Sequence, residues 1–316
     1  MVSLGKKNEY EIIRCNSCNL QQVKDIPPPS FYEAFYKEDK LKKWNKSQQS
    51  VKDILNEFMC RKNSSTKGEF YKNTLLTACE LTSKEKLSVL EMGSAKGTFV
   101  YYARLQGHQA VGTEASLDVV NKVNEAIPGL LEYVENSDYV SHFDSRRFDF
   151  IFMEHVMEHL PSGPEFIEQL KVFLNPGGVI FCAVPNHASY KSIKQGVNWM
   201  AYDPPWHLMF YTPETLTHVF ETRGFKKMHL YTNSTYHRMI WLYYSWYPFF
   251  DKYITRINRK FSLKLPLLNP HIDRKPNRLI FDWICLLPYY TMRLKSVLSG
   301  NDYGEEINAF YKKIEV

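Results

Sequence analysis

Short apolar runs alternate with segments of helical periodicity between residues 87 and 235. Runs that are apolar along most of their length are typical of strands buried on both faces of a parallel sheet. The pattern predicts strands at 87–92, 109–114, 131–134, 148–153, 179–184 and 225–231, and helices at 98–106, 117–126, 164–174 and 213–224. Ser116 and Thr212 are the predicted caps of the second and fourth helices, with Pro213 at the first position of the fourth, and Asn-Pro-Gly-Gly at 175–178 is predicted to stop the third. Strands that alternate with helices indicate parallel βαβ units.

The segments around this core divide the chain into further parts. Residues 1–50 are predicted to form a polar N-terminal arm, and residues 51–86 a helical lid with a helix at 70–81. The α/β core itself spans 87–235. Residues 236–300 are predicted to be a helical insertion, and residues 301–316 supply the last strand of the core.

The insertion is rich in aromatic and basic side chains. Its run at 239–250 is almost entirely apolar and aromatic, and several lysines and arginines follow it. We interpret 236–298 as a cap that packs its rings over an acceptor pocket or forms a dimer contact. The alternative is peripheral contact with the inner face of a membrane, with rings at headgroup depth and cations near anionic lipid.

Composition narrows the class of protein. The chain has 316 residues, with 44% hydrophobic and 23% charged residues, as expected for a globular protein. A net charge of +6 without a clustered patch is too weak to indicate nucleic-acid binding. Six scattered cysteines form no disulfide framework. With no signal-peptide core and no run of 18 apolar residues, the sequence predicts a cytoplasmic protein.

A glycine-containing turn lies between the first predicted strand and its helix. It reads Gly93-Ser-Ala-Lys-Gly97, it is preceded by Glu91, and Glu114 ends the next strand. Such a turn lets a ligand approach the backbone, and a carboxylate at the second strand can accept both ribose hydroxyls of an adenosine. The Walker pattern of ATP sites is absent, and the middle glycine of the NAD pattern is missing. A cofactor without phosphate, such as S-adenosylmethionine (SAM), needs neither.

Three motifs resemble those of class I SAM-dependent methyltransferases. The first is the segment 89–99, the second is Phe148 to Leu160 at the fourth strand, and the third is Leu174 to Asn186. The likeness covers about 87–235, with Ala95 standing where the family usually has glycine. The resemblance implies a Rossmann-like, mostly parallel seven-stranded sheet flanked by helices, and SAM as the cofactor.

The resemblance also assigns cofactor-binding positions residue by residue. It implies a pocket for the methionine part of SAM, a ribose contact at Glu114, and an adenine contact beside it. The residues implied are Glu91, Gly93, Ser94 and Gly97 for the methionine part, Ala115 and Ser116 for adenine, and Met153 and Glu154 close to the cofactor. Asn136 and Ser137 match the family less well and are candidates for a contact with the edge of the adenine.

Candidate catalytic residues follow the fourth strand in the order Glu154-His155-Val-Met-Glu158-His159. Methyl transfer to oxygen or nitrogen requires removal of a proton, and histidine titrates near neutral pH. If the segment is helical, His155 and His159 share one face. Acid–base or substrate-positioning work is favoured. A divalent ion held by His155, Glu158 and His159, or a purely structural role, remain as alternatives. No residue is assigned to a metal.

A second candidate is the loop that contains Trp206 and His207. It resembles a Pro-Trp-His loop of methyltransferases associated with surface-sugar and polysaccharide biosynthesis. His207 is therefore a candidate general base or acceptor-binding residue, and the alternative is a packed loop with a hydrogen-bonded histidine.

The arm carries Cys15-Asn-Ser-Cys18, which looks like one knuckle of a zinc ribbon. Structural zinc requires four ligands, and the sequence has no second Cys-x-x-Cys pair. We therefore interpret the arm as a degenerate ribbon.

Together these patterns predict a SAM-dependent methyltransferase acting on a small acceptor. A sugar or glycan precursor is favoured, with O-methylation and with His159 or His207 as the proton acceptor. The alternatives are a quinone- or lipid-directed methyltransferase, and a non-catalytic SAM- or nucleotide-binding scaffold. The oligomeric state stays open.

Overall fold

A computed structural model of the protein describes residues 1–28, 31–32, 66–134, 139–233 and 304–314. The chain divides into two compact units, one made of Met1–Tyr231 with Glu306–Val316 and the other of Thr232–Glu305. The insertion predicted at 236–298, the first part of the predicted lid, and Asn136 and Ser137 lie outside the described residues. In the part of the chain that is described, no helix is long and apolar enough to cross a membrane.

Seven strands form the central sheet of the first unit. Their bounds are β4 (Ser88–Met92), β5 (Gln109–Glu114), β6 (Leu131–Tyr133), β7 (Phe148–Glu154), β8 (Leu174–Pro185), β10 (Phe225–Asn233) and β11 (Glu306–Lys313). Their order is β10-β11-β8-β7-β4-β5-β6. The pairs from β6 to β8 are parallel, and β11 runs antiparallel to β8. The predicted Rossmann-like sheet is thereby confirmed.

Helices cover both faces of this sheet. They are α1 (Thr66–Thr82), α2 (Thr98–Leu105), α3 (Leu117–Ala126), α4 (Tyr139–Phe143), α5 (Gly163–Phe173), α6 (Tyr190–Gln195) and α7 (Pro213–Glu221). Alternate residues of each buried strand enter different cores because successive side chains point to opposite faces. Phe150 and Phe152 pack with α1, α2 and α3, whereas Ile151 and Met153 pack with α5 and α7.

The predicted helix start at Thr212 is confirmed in detail. Pro213 occupies the first turn, the Thr212 side chain accepts a hydrogen bond from Thr215 N, and Thr215 Oγ1 accepts one from Thr212 N at 2.8 Å. This capping box satisfies main-chain donors that a helix start leaves unpaired. Ser116 occupies the predicted cap position of α3, although its side chain makes no capping hydrogen bond.

Two features of the chain differ from the sequence-based expectation. Strand β8 begins at Leu174, so the segment 175–178, predicted as a stop between helix and strand, belongs to the strand. The pairing of β7 with β8 is irregular between Phe148 and Phe150, which accommodates this start. The segment after β7 forms a 3-10 turn at Met157–His159 rather than an α-helix.

The N-terminal arm contains a second sheet that the hydrophobic pattern did not reveal. Strands β1 (Val2–Lys7), β2 (Tyr10–Arg14) and β3 (Gln21–Val23) pair in sequence, and β3 pairs antiparallel with β9 (Met209–Phe210). Strand β9 follows the Trp206-His207 loop directly. The arm is therefore fastened to one end of the loop that carries a candidate catalytic histidine.

A buried carboxylate ties the first strand of the parallel sheet to β7 and β8. Asp149 accepts hydrogen bonds from Lys84 Nζ at 2.6 Å, Ser88 N at 3.0 Å and Asn175 Nδ2 at 2.7 Å. Burial alone would raise the pKa of Asp149, but these hydrogen bonds hold it below its ordinary value.

We expect Asp149→Asn to lower the free energy of unfolding by about 1–3 kcal/mol at pH 7, because the amide cannot accept every one of these bonds. A carboxyl whose pKa is lowered by folding stabilises the folded state at any pH above its unfolded pKa of about 4. This stabilisation is lost as the pH falls through the lower pKa of the folded state. The difference in free energy of unfolding between Asp149→Asn and the original protein should therefore become smaller in acid. Urea denaturation at pH 7 and below pH ~4 measures it, with Asp118→Asn on the exposed face of α3 as control. A difference that is constant with pH would contradict the role of the charge.

Candidate active site

The turn after β4 has an unusual backbone conformation. Gly93, Ala95 and Gly97 have φ values of 67°, 47° and 71°, which lie in the left-handed region. A Cβ atom on Gly93 would lie 2.9 Å from a methyl group of Val156, and one on Gly97 would lie 2.9 Å from a methyl group of Leu130. Both positions therefore require glycine. Alanine at position 95 adopts the same region at a cost of about 1–2 kcal/mol, so the departure from the family pattern keeps the turn.

The carboxylate of Glu114 joins this turn to the end of β5. Its Oε2 accepts a hydrogen bond from Ala95 N at 3.0 Å, and its Oε1 accepts one from Ser116 N at 3.2 Å. The residue is buried, with 3% of its surface exposed. Glu114 thus lies between the first two strand ends, at the position that the sequence predicted for the ribose contact.

Glu91 and Ser94 stabilise the turn from within. Glu91 Oε2 accepts a hydrogen bond from Val100 N in the first turn of α2 at 2.9 Å. Ser94 Oγ donates to Glu91 O at 3.1 Å, and Ser94 N donates to Thr113 O at 2.8 Å. Their contacts hold the strand, the turn and the helix together, while their predicted contact with the methionine part of SAM stays a prediction.

The donors of this turn indicate which class of cofactor fits. The N–H groups of Ser94, Ala95 and Gly97 donate to Thr113 O, Glu114 and Ser94 O within the protein. A pyrophosphate binds through several such main-chain donors. Because these three already have acceptors and Glu114 is an anion at the same place, the turn suits a phosphate-free, positively charged cofactor. SAM carries a sulfonium and no phosphate.

The remaining predicted cofactor residues have different environments. Ala115 is exposed beside Glu114, Ser116 is buried at the start of α3, and Glu154 is half-buried at the end of β7. Met153 is fully buried in the core cluster that includes residues of α5 and α7, so its side chain contacts the protein interior.

His155 is held between two carboxylates. Its Nδ1 lies 3.0 Å from Glu158 Oε1, and its Nε2 lies 3.0 Å from Glu306 Oε2. Burial lowers the pKa of His155, but the two carboxylates outweigh it and raise the pKa well above its usual value. His155 has a φ of 54° and lies before the 3-10 turn, so the segment is not an α-helix and the condition under which His155 and His159 would share a helical face is not met. Because both ring nitrogens are hydrogen-bonded to carboxylates, the geometry of His155 fits a residue that orients Glu158.

Glu158 is the most deeply buried member of this group. Its side chain is 0% exposed, and Oε2 has no hydrogen-bond partner among the described residues. Burial raises the pKa of Glu158, but the hydrogen bond and charge of His155, with His159 and His207 nearby, lower it to about 2. Glu158 is therefore an ionised carboxylate with His155 bound to one of its two oxygens.

The structure brings His159 and His207 together. Their ring centroids are 4.8 Å apart, and the rings pack edge to face. His159 Nδ1 lies 2.8 Å from Trp206 O, and His207 Nδ1 lies 2.8 Å from Ala201 O. Burial lowers the pKa of His159 and outweighs the attraction of Glu158. Ligand atoms of Glu158, His159 and His207 all lie within 4.8 Å of one another.

This cluster lies beside the cofactor turn. Val156, between His155 and the 3-10 turn, approaches Gly93, and Leu208 N donates to Glu158 O at 2.7 Å. The aromatic ring of Trp206 stacks on Phe31 with a centroid distance of 6.0 Å. The predicted catalytic motif and the predicted Trp-His loop therefore form one site at the carboxyl edge of the sheet.

Glu306 is the site residue that sequence reasoning missed. It begins β11, 151 positions after the histidine that it contacts, and it is 4% exposed. A glutamate at the start of a strand carries no local signal of such a partner. Only the antiparallel placement of β11 beside β8, with Glu306 opposite Pro185, brings it to His155.

The cysteine pair forms a tight turn. Asn19 N donates to Cys15 O at 3.1 Å, and Cys15 N donates to Leu20 O at 2.9 Å. Hydrogen bonds from the main chain at Cys18 and Ser17 lower the pKa of the Cys15 thiol to about 7. Within the described residues, no third histidine, cysteine or acid joins the pair. The interpretation as a degenerate zinc ribbon stays a prediction.

Comparisons with known proteins identify the family of the domain. A family model described as a methyltransferase domain matches residues 60–230, which is more than half of the chain. No curated protein has significant sequence similarity to the chain. Similar solved structures include a SAM-dependent methyltransferase from Archaeoglobus fulgidus, with 16% identity, 81% of this chain and 99% of that chain covered, and a TM-score of 0.46.

Two further structures are similar to the chain. A SAM-dependent methyltransferase from Mesorhizobium loti has 10% identity and a TM-score of 0.46, with 80% of this chain and 100% of that chain covered. A 1,6-didemethyltoxoflavin N1-methyltransferase from Burkholderia thailandensis, solved with S-adenosylhomocysteine, has 10% identity, full coverage of both chains and a TM-score of 0.42. These TM-scores lie below 0.5, so the assignment rests on the domain match and the motifs. The chain belongs to the methyltransferase domain family, and it is an enzyme that takes its methyl group from S-adenosylmethionine.

Proposed function

We propose that the enzyme methylates a hydroxyl group of a small carbohydrate acceptor, a sugar or glycan precursor. The observation that carries the proposal is the pair of imidazoles beside the cofactor turn. His159 and His207 each bind a main-chain carbonyl through Nδ1, at 2.8 Å. A carbonyl only accepts hydrogen bonds, so each ring donates from Nδ1 and retains a basic lone pair on Nε2.

Methyl transfer from SAM to a hydroxyl breaks the bond from sulfur to the methyl carbon, forms a carbon–oxygen bond and releases one proton. A base within reach of the hydroxyl accepts that proton, and positioning of the two reactants supplies much of the rate. The turn 93–97 would hold the methionine part of SAM, and Glu114 would hold the ribose. The proton would pass to Nε2 of His159 or His207, and Trp206 adds an aromatic surface beside them.

The carbohydrate acceptor is supported by the resemblance of the Trp206-His207 loop to that of surface-sugar methyltransferases. The test is an assay of the full chain with labelled SAM and a panel of free sugars, nucleotide sugars, quinols and lipids. We expect transfer to a sugar hydroxyl, located by mass spectrometry and NMR of the product. Methylation of a quinol or lipid, or of nitrogen or carbon, would overturn the proposal in favour of another acceptor class.

We expect His159→Ala and His207→Ala to lower turnover by roughly 100- to 10,000-fold, the usual range for loss of a general base. The Kd for SAM should stay unchanged, because the hydrogen bonds and the ring contact of the two imidazoles go to Trp206 O, Ala201 O and each other rather than to the turn 93–97. His218→Ala, which removes an exposed histidine from α7, is the matched control. If both variants turned over at the original rate, neither imidazole would be the proton acceptor.

A further inference from the structure

Three potential metal ligands converge at the end of β7. Glu158, His159 and His207 are the one group of three or more such side chains found among the described residues, with ligand atoms within 4.8 Å of one another. Two of them belong to the 3-10 turn, and His207 belongs to the loop that precedes β9. The hydrogen bond from Leu208 N to Glu158 O, at 2.7 Å, fixes these two segments against each other.

The hydrogen bonds that the two imidazoles make through Nδ1 match those of histidines that bind metals. A histidine that binds a metal through one nitrogen usually donates the other N–H to a carbonyl or carboxylate, which fixes the tautomer and the ring orientation. His159 meets Trp206 O in this way and His207 meets Ala201 O, each through Nδ1. Nε2 is consequently the nitrogen that each ring has available for a metal ion.

The carboxylate of Glu158 is oriented by a salt bridge of its own. His155 holds Oε1 and is itself held by Glu306, with both distances 3.0 Å. Oε2 is buried without a hydrogen-bond partner in the described part of the chain. A buried anionic oxygen near two basic nitrogens is unfavourable unless a cation lies among them.

We propose that Glu158, His159 and His207 bind one divalent transition-metal ion, with open coordination positions. Two imidazoles and one carboxylate suit Zn²⁺, Fe²⁺, Co²⁺ or Mn²⁺, whereas Mg²⁺ and Ca²⁺ prefer oxygen ligands alone. Three protein ligands leave room for water or an acceptor oxygen, as in catalytic sites. The ligand set differs from that considered from the sequence, because both nitrogens of His155 are bound to carboxylates. His155 is a positioning residue for Glu158.

The ion would change the chemistry of the site, and this consequence rests on the proposed function. An ion at this site would lower the pKa of an acceptor hydroxyl placed at an open position, so that the hydroxyl proton could pass to solvent. The two histidines would then act as ligands, and the role of proton acceptor proposed above for Nε2 of His159 or His207 applies to the protein without the ion. Metal binding itself does not depend on which acceptor the enzyme uses.

The experiment measures binding of Zn²⁺ to the full chain without SAM or acceptor, so its result is independent of the proposed function. Cys15 and Cys18 can bind zinc too, so every titration uses a Cys15→Ser/Cys18→Ser background. After chelator treatment and dialysis, calorimetry and elemental analysis should show one equivalent of Zn²⁺ bound. The protein loaded with Co²⁺, as a second probe, should show the visible absorption bands expected for nitrogen and oxygen ligands. An excess of Mg²⁺ should not displace the bound Zn²⁺.

The variants give a graded prediction. His207→Ala removes a ligand and should weaken Zn²⁺ binding by at least about 100-fold. His155→Gln changes the hydrogen bond that orients the ligand Glu158 and should weaken it by roughly 10- to 100-fold. His218→Ala should leave the affinity unchanged, and circular dichroism shows which variants fold. Unchanged affinity in folded His207→Ala, or no zinc bound in the cysteine-free background, would overturn the proposal.

Discussion

Glu114→Ala is expected to weaken SAM binding by about 10- to 100-fold, measured by calorimetry. A hydrogen bond to a charged group contributes about 1.5–3 kcal/mol, and each 1.4 kcal/mol is about tenfold in Kd. The variant would lose the predicted ribose acceptor. It would also leave Ala95 N and Ser116 N without the carboxylate that both contact in the structure. The turn and the helix start would then lose the bonds that hold them together.

Two further variants separate these effects. Glu114→Gln retains one acceptor oxygen, so its Kd should fall between those of the original protein and Glu114→Ala. Asp118→Ala removes an exposed carboxylate from the first turn of α3, the helix that follows Glu114, and should leave the Kd for SAM unchanged. Equal affinity of Glu114→Ala and the original protein would remove Glu114 from the cofactor site.

Phe152→Ala should lower the free energy of unfolding by about 3–5 kcal/mol, the range for truncating a buried phenylalanine. Phe152 lies in the middle of β7 and is fully buried. Its ring stacks on Phe99 with a centroid distance of 3.7 Å and on Phe181 at 5.1 Å. These contacts connect β7 to β8 and to α2, so the cavity would form between the sheet and the helix that follows the cofactor turn.

Urea denaturation measures this loss, with Phe152→Leu expected to lose less because it fills part of the cavity. Leu105→Ala is the control, since Leu105 is 51% exposed on the same helix α2, and surface changes usually stay within about 0.5 kcal/mol. A loss below about 1 kcal/mol in Phe152→Ala would mean that the core refills around the missing ring.

The local sequence pattern predicted the parts of the fold that depend on neighbouring residues. The glycine turn, the strand before it, Glu114 at the next strand end and the Thr212 cap all lie close to their predicted places. The start of β8 was missed because Asn-Pro-Gly-Gly carries strong turn signals, and only Leu174, before this segment, pairs with β7 ahead of the regular register that begins at Val179. The sheet of β1, β2, β3 and β9 was missed because β3 and β9 are short and meet from distant parts of the chain.

The sequence by itself determined the class of sheet, the family and the order of the motifs, because buried strands, turns and caps are read from residues close together in the chain. The tertiary structure alone decided which side chains meet in the site. It placed His155 between Glu158 and Glu306, and it joined His159 to His207 rather than to His155. Periodicity reports the backbone conformation and the buried face of a segment, whereas contact between remote side chains depends on how whole strands and loops pack.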